Sequence, residues 1–231
     1  MASANELKKR VRIQLEQSGD PQRASQQQAY MKSAIPFAGV PMPQVRRLAK
    51  QTLTDHPPLD KDSWLTTIAA IWEGARYREE KHVALEMLAI NKLRKRWLEP
   101  GDLPLLKNLI VSGAWWDFVD PLSIQHVGYL LTHFNAEVQP HMYKWAEEDN
   151  LWVRRSAILC QLKFKGDTDT NLLQHAIQHS MSDNNFFARK AIGWALREYS
   201  KTHPDFVQHY IKTQGKNLSA LSIREGSKYL G

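Results

Sequence analysis

An internal repeat in the second half of the chain restricts the fold more than any other feature of the sequence. The segment DNLWVRRSAILCQL (149–162) matches DNNFFARKAIGWAL (183–196) at an offset of 34 residues, with six identities. At an offset of 35 residues, Asp120 falls opposite Arg155. Helical pairs that repeat with about this period stack into solenoids, and equivalent positions line up along the concave face. The repeat therefore predicts a row formed by Asp120, Arg155 and Arg189, unless two helix-rich segments match by chance.

The remaining sequence follows a helical period and shows no convincing strand-like alternation. Leu7, Val11 and Leu15 are each four residues apart, which predicts a helix over residues 4–17 with one apolar stripe. Further helices are predicted over residues 43–55, 61–74, 77–97, 102–112, 115–132, 138–147, 150–164, 170–180, 184–200 and 204–213, followed by a short C-terminal helix. Because the connections are short, neighbouring helices should be antiparallel. We therefore predict an all-α solenoid of antiparallel helical pairs that forms a single domain over residues 1–231.

The composition indicates the cellular compartment and the kind of binding partner. With Cys160 as the single cysteine, the chain can form neither an internal disulfide nor a cysteine-rich zinc site, which favours a reducing, cytoplasmic setting. The polar N-terminal segment lacks the apolar stretch of a secretory signal, and the longest apolar runs are too short to span a membrane. A net charge of +7 and a pI near 9.4 indicate a polyanionic partner, with nucleic acid first and an anionic membrane surface second.

The segment WWDFVD (115–120) contains the strongest candidate for chemistry. Trp116 and Asp120 are four residues apart, so on a helix they share one face. An acid on a basic surface repels phosphate, so it is expected there either as a functional carboxylate or as the partner of Arg155 in an ion pair; the two roles are compatible. Asp117 could suggest the paired carboxylates of a sugar hydrolase, but two acids on one helix would not flank a bond from opposite sides. Asp117 is better explained as a first-turn acid that the helix dipole favours.

Aromatic and basic residues alternate on two predicted helices of the repeat. One face of the helix from residue 184 carries Phe187, Lys190, Trp194 and Arg197, at helical spacing. On the preceding repeat, Trp152 and Arg155 are three residues apart. Cations neutralise phosphates and aromatic rings contact sugars or bases, so such faces suit nucleic acid. The alternative is that the aromatic residues belong to the core and the basic residues are solvated.

Other kinds of site have little support in the sequence. The runs KKRVR (8–12) and KLRKRW (92–97) fit solvated helix surface or phosphate contact. There is no glycine-rich phosphate loop, and no serine or cysteine stands in a nucleophile motif. The histidines are scattered without the spacing of a metal-binding motif. We therefore expect no metal and no organic cofactor, and catalysis would have to rest on carboxylate, aromatic and basic groups.

Several segments together resemble the AlkD-type DNA alkylation repair glycosylases, and the resemblance extends over essentially the whole chain. The matching segments are AYMKS (29–33), FAGVPMPQVRRL (37–48), WWDFVD (115–120), DNLWVRRSAILCQLKFK (149–165), FFARKAIGWALREY (186–199) and LSIRE (221–225). The resemblance implies an all-helical solenoid of HEAT-like repeats whose concave, basic face holds duplex DNA. It also implies hydrolysis of the N-glycosidic bond of N3- and N7-alkylated purines, by contact mainly with backbone and sugar and without a snug pocket for a flipped base.

The resemblance assigns expected roles to individual residues. Asp120 would be the essential carboxylate, and Trp116 and Trp194 would line the cleft beside it. Arg155 would be a phosphate-binding or cleft-lining arginine, and Tyr30 would lie on the DNA-facing side. The resemblance thus favours a DNA glycosylase. A monomer is expected because the sequence gives no sign of a dimer face. A catalytically silent protein that binds damaged duplex DNA and a helical-repeat protein-interaction scaffold are the alternatives.

Overall fold

The computed structural model describes residues 2–230, and within them it contains helices and connections but no strands. The α-helices are α1 (Ala4–Gln17), α2 (Pro21–Met31), α3 (Met42–Asp55), α4 (Lys61–Glu73), α5 (Arg78–Leu88), α6 (Asn91–Trp97), α7 (Leu103–Gly113), α8 (Trp116–Pro121), α9 (Gly128–His133), α10 (Asn135–Ala146), α11 (Leu151–Leu159), α12 (Thr170–Ser180), α13 (Phe186–Ser200), α14 (Pro204–Gln214) and α15 (Ala220–Gly226). The all-α prediction is confirmed. None of the described helices is both long and apolar enough to cross a bilayer.

The helices group into two compact units, the first ending at Leu98 and the second beginning at Glu99. In the first unit, α1 packs on α4 and α5, and α3 packs on α5. The predicted stripe of α1 is buried there, and Ser3 caps the start of the helix in a capping box that satisfies two backbone groups. Arg12 of α1 forms a two-pronged ion pair with the buried Glu80 of α5. That the whole chain acts as a single domain stays a prediction.

In the second unit, each helix that contains candidate site residues packs against the next such helix along the chain. Helix α8 packs on α11, α11 packs on α13, and α13 packs on α15, while α10 and α12 pack on each other and on α11. Contacts thus join consecutive helices, such as α10 and α11, and also helices two apart along the chain, such as α11 and α13. The candidate residues on α8, α11 and α13 consequently lie on helices that are neighbours in the fold.

The helix starts show that the structural repeat is 35 residues long. Asn150 and Asn185 are the N-caps of α11 and α13, and each side chain accepts a hydrogen bond from the backbone N–H two residues later. Arg154 and Arg189 each donate to the backbone carbonyl six residues earlier. The predicted row of Asp120, Arg155 and Arg189 is therefore wrong by one residue at its last position. The sequence match aligned Asn150 with Asn184, but the N-cap of α13 is Asn185. Lys190 is the residue equivalent to Arg155.

The segment that carries Asp120 is not the uninterrupted α-helix that the sequence predicts over residues 115–132. Helix α8 passes into a π-helical segment (Leu122–Val127) before α9 begins. Pro121 lies inside the helix and has no N–H to donate, so the helical bond to the carbonyl four residues earlier is missing just before the π-helical segment. At Gly128 an added Cβ would lie 2.6 Å from the Cys160 carbonyl oxygen, so the helix approaches the end of α11 closely there. Asp120 lies two residues before this irregular segment.

Candidate active site

Asp120 of α8 and Arg155 of α11 form a two-pronged ion pair. The Arg155 Nε atom donates to Asp120 Oδ1 at 2.7 Å, and Nη2 donates to Oδ2 at 2.8 Å. The remaining Nη1 atom donates to the backbone carbonyl of Phe187 on α13 at 2.6 Å. Both side chains are buried, although 12% of the Asp120 side chain remains exposed. The ion pair considered from the sequence is thus present, and it connects three neighbouring helices.

Burial and the Arg155 partner shift the pKa of the Asp120 carboxyl in opposite directions. Loss of hydration raises the pKa of the Asp120 carboxyl above its ordinary value, and the nearby charge of Asp117 adds to the increase. The hydrogen bonds and charge of Arg155 act in the opposite direction but do not fully compensate. A carboxyl with a raised pKa takes up a proton more readily than an exposed aspartate.

Three aromatic rings form a cluster beside this ion pair, which we call the aromatic cluster (Trp115, Trp152 and Phe187). The ring centroids of Trp115 and Trp152 are 6.0 Å apart. The Phe187 centroid lies 5.2 Å from that of Trp115 and 5.1 Å from that of Trp152. The Phe187 carbonyl accepts the third arginine bond, so the cluster and the ion pair share a residue. Among the described residues, the buried Trp115 Nε1 atom has no hydrogen-bond partner. The sequence had suggested Trp152 and Phe187 but not Trp115.

The two tryptophans that the family resemblance places in the cleft lie on helices of the same unit. Trp116 is one turn before Asp120 on α8, and Trp194 lies on α13; both are partly exposed. The ring contacts described above involve the neighbouring Trp115 rather than Trp116. The role of Trp116 and Trp194 beside the carboxylate stays a prediction.

The predicted DNA-binding cations of α13 are paired with an acid that the sequence analysis did not single out. Glu225 of α15 accepts from Lys190, Arg197 and Lys228, each at 3.0 Å. Hydrogen bonds from Lys228 and Lys190 lower the pKa of the buried Glu225 carboxyl to about 2. Glu225 lies 35 residues after Lys190, and this spacing is the one signal that could have identified it. A phosphate that binds these cations must compete with Glu225.

Tyr30 belongs to the first unit, at the C-terminal end of α2. Tyr30 is 77% exposed. An exposed aromatic ring is available for contact with a partner. Its predicted role on a DNA-facing side remains a prediction, as does the basic concave face.

Comparison with known proteins shows similarity to a family model and to solved structures. The model of the family described as DNA alkylation repair enzyme matches residues 11–230. A solved structure described as a predicted DNA alkylation repair enzyme from Enterococcus faecalis is 34% identical, with a TM-score of 0.82 over 93% of this chain and 97% of that one. The protein smu.31 from Streptococcus mutans UA159 is 19% identical, with a TM-score of 0.57 over 82% of this chain and 99% of that one, which shows a shared fold alone. No curated protein matches the sequence.

Proposed function

The chain belongs to the DNA alkylation repair enzyme family, and from that membership we propose that it is a DNA glycosylase that acts on duplex DNA. The proposed reaction is hydrolysis of the N-glycosidic bond of positively charged N3- and N7-alkylated purines. The observation that carries the proposal is the Asp120 carboxylate, which Arg155 orients beside the aromatic cluster. This carboxylate is the group best suited to a substrate that becomes cationic at its sugar.

The chemistry of the lesion explains why a carboxylate suffices. Alkylation at N3 or N7 gives the purine a positive charge, so the base takes the bonding electron pair as it leaves and becomes neutral. The deoxyribose then carries the positive charge until water attacks its anomeric carbon and loses a proton, which leaves an abasic site. A carboxylate about 4 Å from that charge stabilises it by about 4 kcal/mol at an effective dielectric near 20. This corresponds to about a thousandfold in rate.

Arg155 acts as a positioning residue in this proposal. Each Asp120 oxygen accepts one arginine N–H and keeps a second lone pair for water or the sugar. The arginine charge weakens the field of the carboxylate, but its fixed fork holds the acid in one geometry. The bond from Arg155 to Phe187 fixes the guanidinium in turn. Preorganisation of this kind costs no rearrangement during the reaction.

Aromatic and basic residues would supply the remaining contacts. Trp116 and Trp194 would each add about 0.5–2 kcal/mol of cation–π stabilisation to the cationic sugar or base. Tyr30, Lys190 and Arg197 would contact the backbone of the duplex. The proposed enzyme is a cytoplasmic monomer whose reaction needs no metal and no organic cofactor, and the base would stay stacked rather than enter a pocket.

A catalytically silent protein that binds damaged duplex DNA is the second candidate. The burial of Asp120 and its two-pronged pairing with Arg155 favour it, because a carboxylate in such a pair can be purely structural. Both candidates predict salt-dependent binding to DNA. Only the glycosylase leaves an abasic product, so the product separates them.

Release of 7-methylguanine from an alkylated duplex tests the proposal. Asp120→Asn should lower the rate of release by about a thousandfold while DNA binding persists, because the amide has nearly the same shape and no charge. Asp117→Asn, on the same helix, is the matched control and should leave the rate nearly unchanged. Undiminished release by Asp120→Asn would remove Asp120 from the mechanism. DNA binding without any release by the natural chain would favour the silent binder, and no binding at low salt would favour a protein-interaction scaffold.

A further inference from the structure

Two histidines and a glutamate from two helices meet on the second unit, on helices that do not carry the Asp120–Arg155 pair. His175 and His179 lie one turn apart on α12, and Glu147 caps the C-terminal end of α10. The Glu147 Oε1 atom lies 3.0 Å from Nε2 of His175 and 4.0 Å from Nε2 of His179. One ligand atom from each of the three residues lies within 4.8 Å of the others. These residues converge on one small volume.

The two distances from Glu147 are close to those that a tetrahedral metal ion requires. Zinc binds histidine nitrogen at about 2.0–2.1 Å and carboxylate oxygen at about 2.0–2.2 Å, so its ligand atoms lie about 3.3 Å apart. The two distances from Glu147 bracket that separation. Small rotations of the three side chains would therefore bring all of the ligand atoms to bonding distance. Two histidines four residues apart on a helix already face the same way.

The state of His175 is a second observation that points to a ligand. Its Nε2 atom is buried, and the approach to Glu147 is not aligned as a hydrogen bond, so the atom has no hydrogen-bond partner among the described residues. The ring is held in place by an edge-on contact with Tyr143 at 4.8 Å and by the His179 ring at 4.4 Å. A buried nitrogen without a partner is costly unless something binds it.

We propose that Glu147, His175 and His179 form a binding site for a divalent transition-metal ion of the zinc class. Two imidazole nitrogens and one carboxylate oxygen would hold the ion, and water would take the fourth position. Nitrogen-rich donor sets of this kind prefer zinc, nickel or copper over magnesium and calcium. The exposed fractions of the three side chains, 26% for His175, 41% for His179 and 53% for Glu147, leave the ion a route of entry.

The site has a structural role that is separate from the proposed hydrolysis. Its ligands come from α10 and α12, which pack on each other, whereas Asp120 and Arg155 lie on α8 and α11. A bound ion would join the two helices and stabilise their contact, since binding to the folded state alone raises stability. The single thiol cannot compete for the metal, because Cys160 is buried and burial raises its pKa to about 12. The sequence analysis took all of the histidines as scattered, whereas His175 and His179 lie four residues apart on one helix and converge with Glu147.

Titration of the metal-free full-length chain with Zn²⁺, followed by calorimetry, tests the proposal. The natural chain should bind one ion per chain, and its thermal unfolding temperature should rise with added Zn²⁺. His179→Ala should weaken the binding by more than about tenfold and abolish the rise in unfolding temperature. His209→Ala, which removes an exposed histidine of α14, is the matched control and should change neither.

A spectroscopic measurement makes the result independent of stability. Co²⁺ bound to the natural chain should give the visible absorption of a tetrahedral site, and His179→Ala should lose it. Unchanged Zn²⁺ binding in the double variant of His175→Ala and His179→Ala would overturn the proposal. Failure of the natural chain to bind Zn²⁺ more tightly than that double variant would overturn it equally.

Discussion

Lys190 and Glu225 stand 35 residues apart and form an ion pair of 3.0 Å, at the same spacing along the chain as Asp120 and Arg155. The order of the charges is reversed between the two pairs: the acid comes first in one and the base in the other. In each pair, the partner 35 residues later lies on the helix that packs against the helix of the first residue: α11 packs on α8, and α15 packs on α13. Both pairs join adjacent helices. Within the described part of the chain Asp120 forms an ion pair with Arg155 alone, whereas Glu225 also pairs with Arg197 and Lys228.

The acid side of the pH–rate profile should report the Asp120 carboxyl. Because burial raises its pKa above the ordinary 3.8, the fall in the rate of 7-methylguanine release on acidification should have its midpoint above that value. The cationic lesion itself does not titrate in this range, so the fall belongs to the enzyme. Measured rates, corrected for spontaneous loss of the base, should show one such step. A rate that stays flat down to pH 4 would contradict the assignment.

Replacing Arg155 by lysine should separate a positioning role from a phosphate contact. Lysine keeps the charge but cannot make the two parallel bonds, so kcat should fall by about 10- to 100-fold with little change in KM. Loss of these bonds also removes an influence that lowers the Asp120 pKa, so the acid step should move to higher pH. Arg154→Lys, next to it on α11 and paired with Asp183, is the control and should leave the profile in place. A rise in KM without movement of the acid step would indicate phosphate binding instead.

The sequence predicts best those features that recur locally along the chain. The buried stripe of α1 follows from the spacing of Leu7, Val11 and Leu15, and the Asp120–Arg155 pair follows from an offset of one repeat. The helix α2 (Pro21–Met31) was not predicted, because its only buried residue is Met31 and it has no apolar stripe.

Other features depend on contacts between distant segments. Glu147 reaches His175 only because α10 packs on α12, and no spacing in the sequence shows that contact. Trp115 likewise belongs to the site because its ring packs on Trp152 and Phe187. The sequence does not show which of the adjacent residues Trp115 and Trp116 makes these contacts. Such residues become visible only when the helices are placed together.

The salt dependence of DNA binding should reveal whether Lys190 exchanges Glu225 for phosphate. If Lys190 neutralises a phosphate in the complex, Lys190→Ala should reduce the slope of log affinity against log salt by about 0.9. Lys144→Ala, at an exposed position of α10, is the control and should leave the slope unchanged. Fluorescence titrations of a duplex at several salt concentrations give the slope. An unchanged slope for Lys190→Ala would show that this lysine keeps its partner Glu225 in the complex.

The stability of the chain should depend on the ionised form of Glu225. The folded state holds the pKa of this carboxyl at about 2, against an ordinary value of 4.5, so the stabilisation is complete above pH 4.5 and is lost as the pH falls toward 2. At neutral pH it amounts to at most about 3 kcal/mol. Glu225→Gln should therefore unfold more easily in urea at pH 7, and the difference should shrink at pH 3. A difference of equal size at both pH values would show that the loss comes from packing rather than charge.

The close approach of α13 and α15 that forms the Lys190–Glu225 pair depends on the absence of a side chain at Gly193. A Cβ there would lie 2.5 Å from the Glu225 Cβ and 3.0 Å from the Ser222 carbonyl oxygen, so Gly193→Ala must push the helices apart. Overpacking of this kind destabilises by about 1–3 kcal/mol, and urea unfolding should show a loss of this size. Gly101→Ala is the control, because a Cβ at that position meets nothing within 4 Å and should leave the stability equal or slightly higher. Since the added methyl group of Gly193→Ala also displaces Glu225, this variant should lose most of the pH dependence that Glu225 causes. Full retention of that dependence in Gly193→Ala would show that the pair tolerates a wider separation of the helices than the structure implies.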